Sequence, residues 1–248
     1  MQTQFTSPTV YFLQEGRDNL RSCLQVAFTS AKQQNVSKII IFTARGEGVR
    51  IAVESFWSQP GFSDIKLIAV SFSNGKIFTD KDGKRIEAKI SPEDLAFFRE
   101  HNIPVIRGHL PFDPITPFFK SSGMLGQDLN LVSEALGIFG GSMALCVQAI
   151  TMACDAGEVE IGEHVIALTS DTAILAQASN TDRMLGELIV REILCKAAVL
   201  TISRKEHSEK MPGQLSFEME SEPKEPEPKT LPAPIEITEA KPPKKLEQ

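Results

Sequence analysis

The stretch SKIIIFTARGEGVRIAVE, residues 37–54, sets four apolar side chains in a row, Ile39 to Phe42, and then breaks into a polar hexapeptide before an amphipathic run. An uninterrupted apolar run of this length suits a strand covered on both faces. The hexapeptide Thr43-Ala44-Arg45-Gly46-Glu47-Gly48 is the break, and a helix from about Val49 to Trp57 is expected after it. A strand that turns at once into a helix is the unit of an α/β fold, and the flanking sequence repeats it.

Upstream, RDNLRSCLQVAFTSAKQQN (residues 17–35) places Leu20, Cys23, Leu24, Ala27 and Phe28 at helical spacing. Downstream comes a second apolar strand, Ile65 to Phe72, and then a turn-rich excursion with two hairpin signals, Asn74-Gly75 and Asp82-Gly83. The capping sequence Ser91-Pro92-Glu93-Asp94 opens a short helix ending near His101, and the strand Pro104 to Gly108 follows. DLNLVSEALGIF (residues 128–139) can form a helix. Ser142 to Gly157 is apolar nearly all round, which predicts a buried helix stopped by a glycine cap. Strands are expected over His164 to Thr169 and Thr172 to Ala178, while RMLGELIVREILCKAAVLTI (residues 183–202) reads either as a helix or as a helix followed by a strand. The alternation predicts a mainly parallel sheet with helices on both faces.

Composition sets the bounds. With 248 residues and 42% hydrophobic content the chain can bury a full core, and the expected body runs over residues 1–203. Residues 204–248 are rich in Pro, Glu and Lys and poor in aromatics, which predicts a disordered tail. Within it Leu231 to Ile237, LPAPIEI, reads either as an extended docking motif for a partner or as part of a plain solubilising tail. No apolar run approaches the ~20 residues of a membrane span, and the first residues lack the pattern of a secretory leader, so the cytoplasm is the expected compartment. A net charge of −6 without a basic patch argues against a nucleic-acid partner. The four cysteines show no metal or redox spacing and read as buried thiols.

In an open α/β sheet, ligands bind at the carboxyl ends of the strands. The hexapeptide sits at such an end. Its glycines let an anion approach, the first-turn amides of the helix lack intrahelical partners, and Thr43 and Arg45 can add a hydroxyl and a guanidinium. It lacks the third glycine of a dinucleotide fingerprint and the lysine of a Walker loop, and Glu47 repels a phosphate unless it points away or meets Arg50. The loop therefore reads either as an anion seat or as a plain strand-to-helix turn. His109, after a buried strand, can donate to a ligand or act as an acid/base, or serve structurally. Asp171 reads as a general base or as a polar turn residue. Trp57 and the phenylalanines of PFDPITPFF (residues 111–119) line a pocket for a flat ring or form a hydrophobic lid.

FGGSMALCVQAITMACDAGEVEIGEHVIALTSDTAILAQAS (residues 139–179), followed by LIVREILCKA (residues 188–197), resembles the matching region of the pyruvate kinase C-terminal-domain-like proteins, a stand-alone family of archaea and bacteria. KIIIFTARGEGVRIA is similar to that family's strand and Ser-Gly-Glu-Thr loop, and PVIRGHL to its strand ending in a small residue and His. The resemblance covers roughly residues 15–200. It implies a three-layer α/β/α sandwich with a mixed, mostly parallel sheet of about five strands, one of them antiparallel, and a pocket at the strand ends. In pyruvate kinase the corresponding loop holds a sugar phosphate effector, and some stand-alone relatives carry FMN there. On that footing Thr43, Ala44, Arg45, Gly46, Glu47, Gly48, His109, Ser170, Asp171 and Thr172 are the expected binding residues, with His109 and Asp171 the candidates for catalysis. The chain departs from the pattern at Ser71-Phe72-Ser73, where relatives have Thr-His-His, at FKSSGMLG (residues 119–126), and at Gln148, where they carry a buried Glu. The glycines ahead of Asp-Thr-Ala are missing, and Arg45 is a gain.

The leading expectation is a protein that binds a phosphorylated small molecule, FMN or a nucleotide or sugar phosphate. An enzyme using His109 and Asp171, and an interaction scaffold that recruits a partner through its tail, are the alternatives. The assembly habit of similar proteins and the buried-looking helices imply a homo-oligomer. Pyruvate kinase activity itself is not expected, because the barrel domain that carries it is not in this sequence.

Overall fold

The computed structural model describes residues 6–79, 85–112, 127–140 and 142–198. The expected tail, with Leu231 to Ile237, lies outside the described residues, as do Asp82-Gly83 and the segment 119–126.

Its centre is a seven-stranded sheet in the order β1-β9-β8-β7-β2-β3-β6. The strands are β1 (Val10–Phe12), β2 (Lys38–Phe42), β3 (Lys66–Phe72), β6 (Val105–Gly108), β7 (His164–Leu168), β8 (Ala173–Gln177) and β9 (Ile189–Ala197). Strand β8 runs antiparallel to both of its neighbours, and the other ladders are parallel. A separate two-stranded antiparallel sheet pairs β4 (Ile77–Thr79) with β5 (Arg85–Glu87).

The continuous apolar runs are explained by two cores, one on each face. Successive strand residues point to opposite sides, so Ile39 and Ile41 enter one cluster while Ile40 and Phe42 enter the other. Leu67 and Ala69 divide from Ile68 and Val70 in the same way, and Ile166 and Leu168 from Val165 and Ala167. On the first face lie α1 (Leu20–Gln33), α2 (Glu47–Ala52) and α3 (Pro92–Glu100), which contribute Phe28, Val49 and Phe98. On the second lies α5 (Met143–Asp155), with α4 (Gln127–Gly137) packed against it. Helix α5 is caught between sheet and helix, which is why its sequence is apolar all round. The three-layer α/β/α sandwich is the architecture expected from the sequence.

Local signals explain the ends of the helices. Ser91 Oγ accepts the amide of Asp94 at 2.9 Å with Pro92 at the first helical position, so α3 starts where the capping sequence says. Helix α5 stops in a Schellman motif: Glu158 N–H bonds Ala153 O at 3.0 Å, Gly157 N–H bonds Cys154 O at 2.9 Å, and Gly157 takes φ +75°.

Three expectations need correction. The sheet has seven strands rather than about five, because β9 and β1 extend it beyond β8; of the two readings of the last segment, residues 183–198 take the helix followed by a strand, α6 (Met184–Glu187) and then β9. Strand β1 carried no periodic signal because it is three residues long and, among the described residues, pairs only with β9. Asn74-Gly75 makes a turn, with Lys76 N–H donating to Ser73 O at 3.3 Å, but β3 and β4 on either side of it do not pair, so it is no hairpin. The helix after the hexapeptide begins at Glu47, not Val49, and passes at Ala52 into a π-helical turn, Val53–Trp57.

Candidate functional site

The carboxyl end of β2 carries the hexapeptide. Thr43 N–H extends the ladder by one bond to Val70 O at 2.9 Å, and its buried Oγ1 accepts Gly46 N–H at 2.9 Å. This closes the turn from within. Gly46 takes φ +101°, in the left-handed region, and a Cβ there would stand 3.1 Å from Phe98 Cζ and 3.2 Å from Ile90 Cγ2. Glycine is therefore required for conformation and for space. Its carbonyl accepts Val49 N–H and Arg50 N–H, which starts α2. Among the described residues, the amides of Ala44, Arg45, Glu47 and Gly48 donate to no protein group, and Arg45 is exposed with no ion pair. Of the loop's six amides, that of Thr43 serves the ladder and that of Gly46 the turn; of the four left without a protein acceptor among the described residues, Gly48 is buried.

Charge around the loop is arranged differently from the sequence expectation. Glu47 pairs with Arg17, not with Arg50. Arg50 is held by Asp94, its Nε donating to Oδ1 at 2.7 Å, with Glu54 at 3.5 Å and Glu93 at 3.6 Å, and its guanidinium lies 4.5 Å from the centre of the Phe97 ring. The bond to Asp94 raises the pKa of Arg50 further.

The turn between β7 and β8 lies beside this loop, since Thr43 and Ser170 each stand two residues past the Ile41–Leu168 pair of the β2–β7 ladder. Thr169 N–H to Thr172 O, 2.9 Å, closes it. Asp171 is 4% exposed, and its oxygens are occupied: Oδ2 accepts Gly16 N–H at 2.8 Å, and Oδ1 accepts the hydroxyls of Thr172 at 3.1 Å and Ser142 at 3.5 Å. Thr172 Oγ1 in turn accepts Ser142 N–H at 3.2 Å, so this turn fixes the start of α5. Gly16 reaches Asp171 and Arg17 reaches Glu47; a short strap thereby crosses from one loop to the other. Sequence reasoning missed Gly16, Arg17 and Ser142. The only signal was a glycine before a helix, which marks a turn without saying what it covers.

His109 lies elsewhere. It is exposed just past β6, two strand spacings from β2, or ~10 Å across the sheet, and three from β7, or ~14 Å. It lines a shallow cleft of about 400 Å³ with Arg107, Met152 and Thr181, at which Asp155 accepts Thr181 N–H at 3.0 Å. The structure thus groups Thr43 to Gly48 with Ser170 to Thr172 and leaves His109 apart.

No protein-family model matches the chain. Among solved structures, the crystal structure of Cryptosporidium parvum pyruvate kinase is similar, with 14% identity and a TM-score of 0.31 over 67% of this chain and 24% of that one. The chain therefore spans about a quarter of the length of that enzyme.

Trp57 and Phe112 do not meet around a pocket, and residues 113–119 of the Phe-rich segment lie outside the described residues. Trp57 packs on the first core and donates from Nε1 to Ile65 O at 2.8 Å, whereas Phe112 is buried in the second, on the opposite face of the sheet. Gln148 is buried and its Oε1 accepts Phe112 N–H at 2.8 Å, which ties the chain after β6 to α5. What the strand ends offer chemically is a set of amides without protein acceptors among the described residues, a helix start and the exposed guanidinium of Arg45, an arrangement suited to holding a compact anion.

Proposed function

We propose that this chain is a ligand-binding protein of the pyruvate kinase C-terminal-domain-like class that takes a phosphorylated small molecule, FMN or a nucleotide or sugar phosphate, with the phosphate over Thr43 to Gly48. The observation that carries the reading is the set of amides at Ala44, Arg45 and Glu47 that donate to no protein group among the described residues, beside an exposed Arg45 with no ion pair among them. The pairing of Glu47 with Arg17 supports it, because it offsets the carboxylate that would otherwise oppose an anion. The class rests on the sequence resemblance.

A ligand at ~100 times its dissociation constant adds about 2.7 kcal/mol, worth roughly 5–10 °C in the thermal midpoint of a body this size. The test is a thermal-shift panel of FMN, sugar phosphates and nucleotides, with an absorbance spectrum of the isolated protein. A shift from at least one compound is expected, reduced at least tenfold in affinity by Arg45→Ala. No shift from any compound, with no flavin absorbance, removes the proposal.

A further inference from the structure

Cys23 in α1 and Cys195 in β9 are 172 positions apart in sequence, yet their sulfurs lie 3.4 Å apart, and both side chains are fully buried. Both are free thiols. A disulfide has an S–S length of ~2.05 Å, so the two sulfurs need to approach by only about 1.4 Å, within reach of a small side-chain rotation. Their backbones are anchored for it. Cys195 is paired on both sides, with Val10 of β1 and Ala173 of β8, and α1 packs across β7, β8 and β9.

The pairing is also selective. Cys146 belongs to the core on the opposite face of the sheet and donates to Thr172 O at 3.6 Å, while Cys154 stands half-exposed at the far end of α5. We propose that Cys23 and Cys195 form a redox-controlled staple, a disulfide that joins the first helix of the body to its last strand when the chain folds in the presence of an oxidised low-molecular-weight thiol.

The chemistry is thiol–disulfide exchange. The thiolate of one cysteine attacks the small disulfide, forming a mixed disulfide and releasing one small thiol. The second cysteine attacks the protein-side sulfur, the Cys23–Cys195 bond forms, and the second small thiol leaves. The protein loses two electrons and two protons, and the small disulfide gains them. Once folded, the pair is protected in whichever state it was made. Its hydrogen bond with Cys195 and then burial hold the Cys23 thiol well above its ordinary pKa, and the thiolate is the reactive form. The loop closed by the bond takes in nearly the whole body, so the constraint on the unfolded chain is large.

The full chain is refolded in a glutathione buffer rich in the disulfide form and, separately, in dithiothreitol. Titration of denatured protein should find four thiols after reducing refolding and two after oxidative refolding, with an intact mass lower by about 2 Da. Peptide mapping without reductant should assign the link to Cys23 and Cys195, and the thermal midpoint should rise by roughly 5–15 °C. Cys146→Ala should still form it, and Cys195→Ala should not. Four thiols after oxidative refolding, or a link that uses Cys146 or Cys154, overturns the proposal.

Discussion

Gly46 illustrates how one residue can be read correctly for an incomplete reason. Its glycine is legible as a means for an anion to approach, but the structure adds that a side chain there would run into Phe98 and Ile90, both fully buried. Those residues are more than forty positions away, and nothing near Gly46 announces them. Gly46→Ala should destabilise the protein by about 2–4 kcal/mol, from left-handed backbone strain and overpacking together, measured by urea denaturation. Asp171 is the converse case. As a sequence feature it is a turn carboxylate with two readings; in the fold it receives Gly16, Thr172 and Ser142 at once. Asp171→Ala should cost about 2–4 kcal/mol by stranding those donors, and Asp171→Asn less, since an acceptor oxygen remains.

Elements were legible where their signals are local. The Ser91 cap, the Gly157 stop and the apolar strands β2, β3 and β7 come from residues within a few positions of each other. Ser91→Ala should lower stability by about 1 kcal/mol, again by urea denaturation, because it removes the acceptor for Asp94 N–H. Strand β9 was not legible to the same degree. Its burial alternates irregularly, and its ladder with β8 carries two register shifts, which blur a period-two pattern. The π-helical turn Val53–Trp57 has no sequence signal of its own either; Ser58 closes it by donating from Oγ to Val53 O at 2.9 Å.

At the scale of the whole body, the order of the sheet decides which parts open last. Amides of β2, β3 and β7, each paired on both sides, should exchange hydrogen most slowly, and those of β1, at the edge of the sheet among the described residues, should exchange among its fastest. The buried thiols Cys23 and Cys146 and the half-buried Cys154, which the sequence had placed in the core, give the body a pH dependence. Burial raises Cys154 from 9.0 to about 11, and Cys23 and Cys146 stand well above their ordinary value. Each binds its proton more tightly folded than unfolded, so this stability is whole below about pH 9 and is lost as pH climbs toward 11 and beyond. Urea midpoints should fall across that window, and Cys154→Ala should fall less. The sequence by itself determined the alternation of strands and helices, the two-sided burial of the sheet and the position of the glycine loop, since hydrophobic period, turn residues and caps act over a few neighbours. Only the tertiary structure decided the strand order, the strap from Asp171 to Glu47, the separation of His109 and the meeting of Cys23 with Cys195. These depend on contacts between distant segments, which are set by how two faces of one sheet are covered and leave no local pattern.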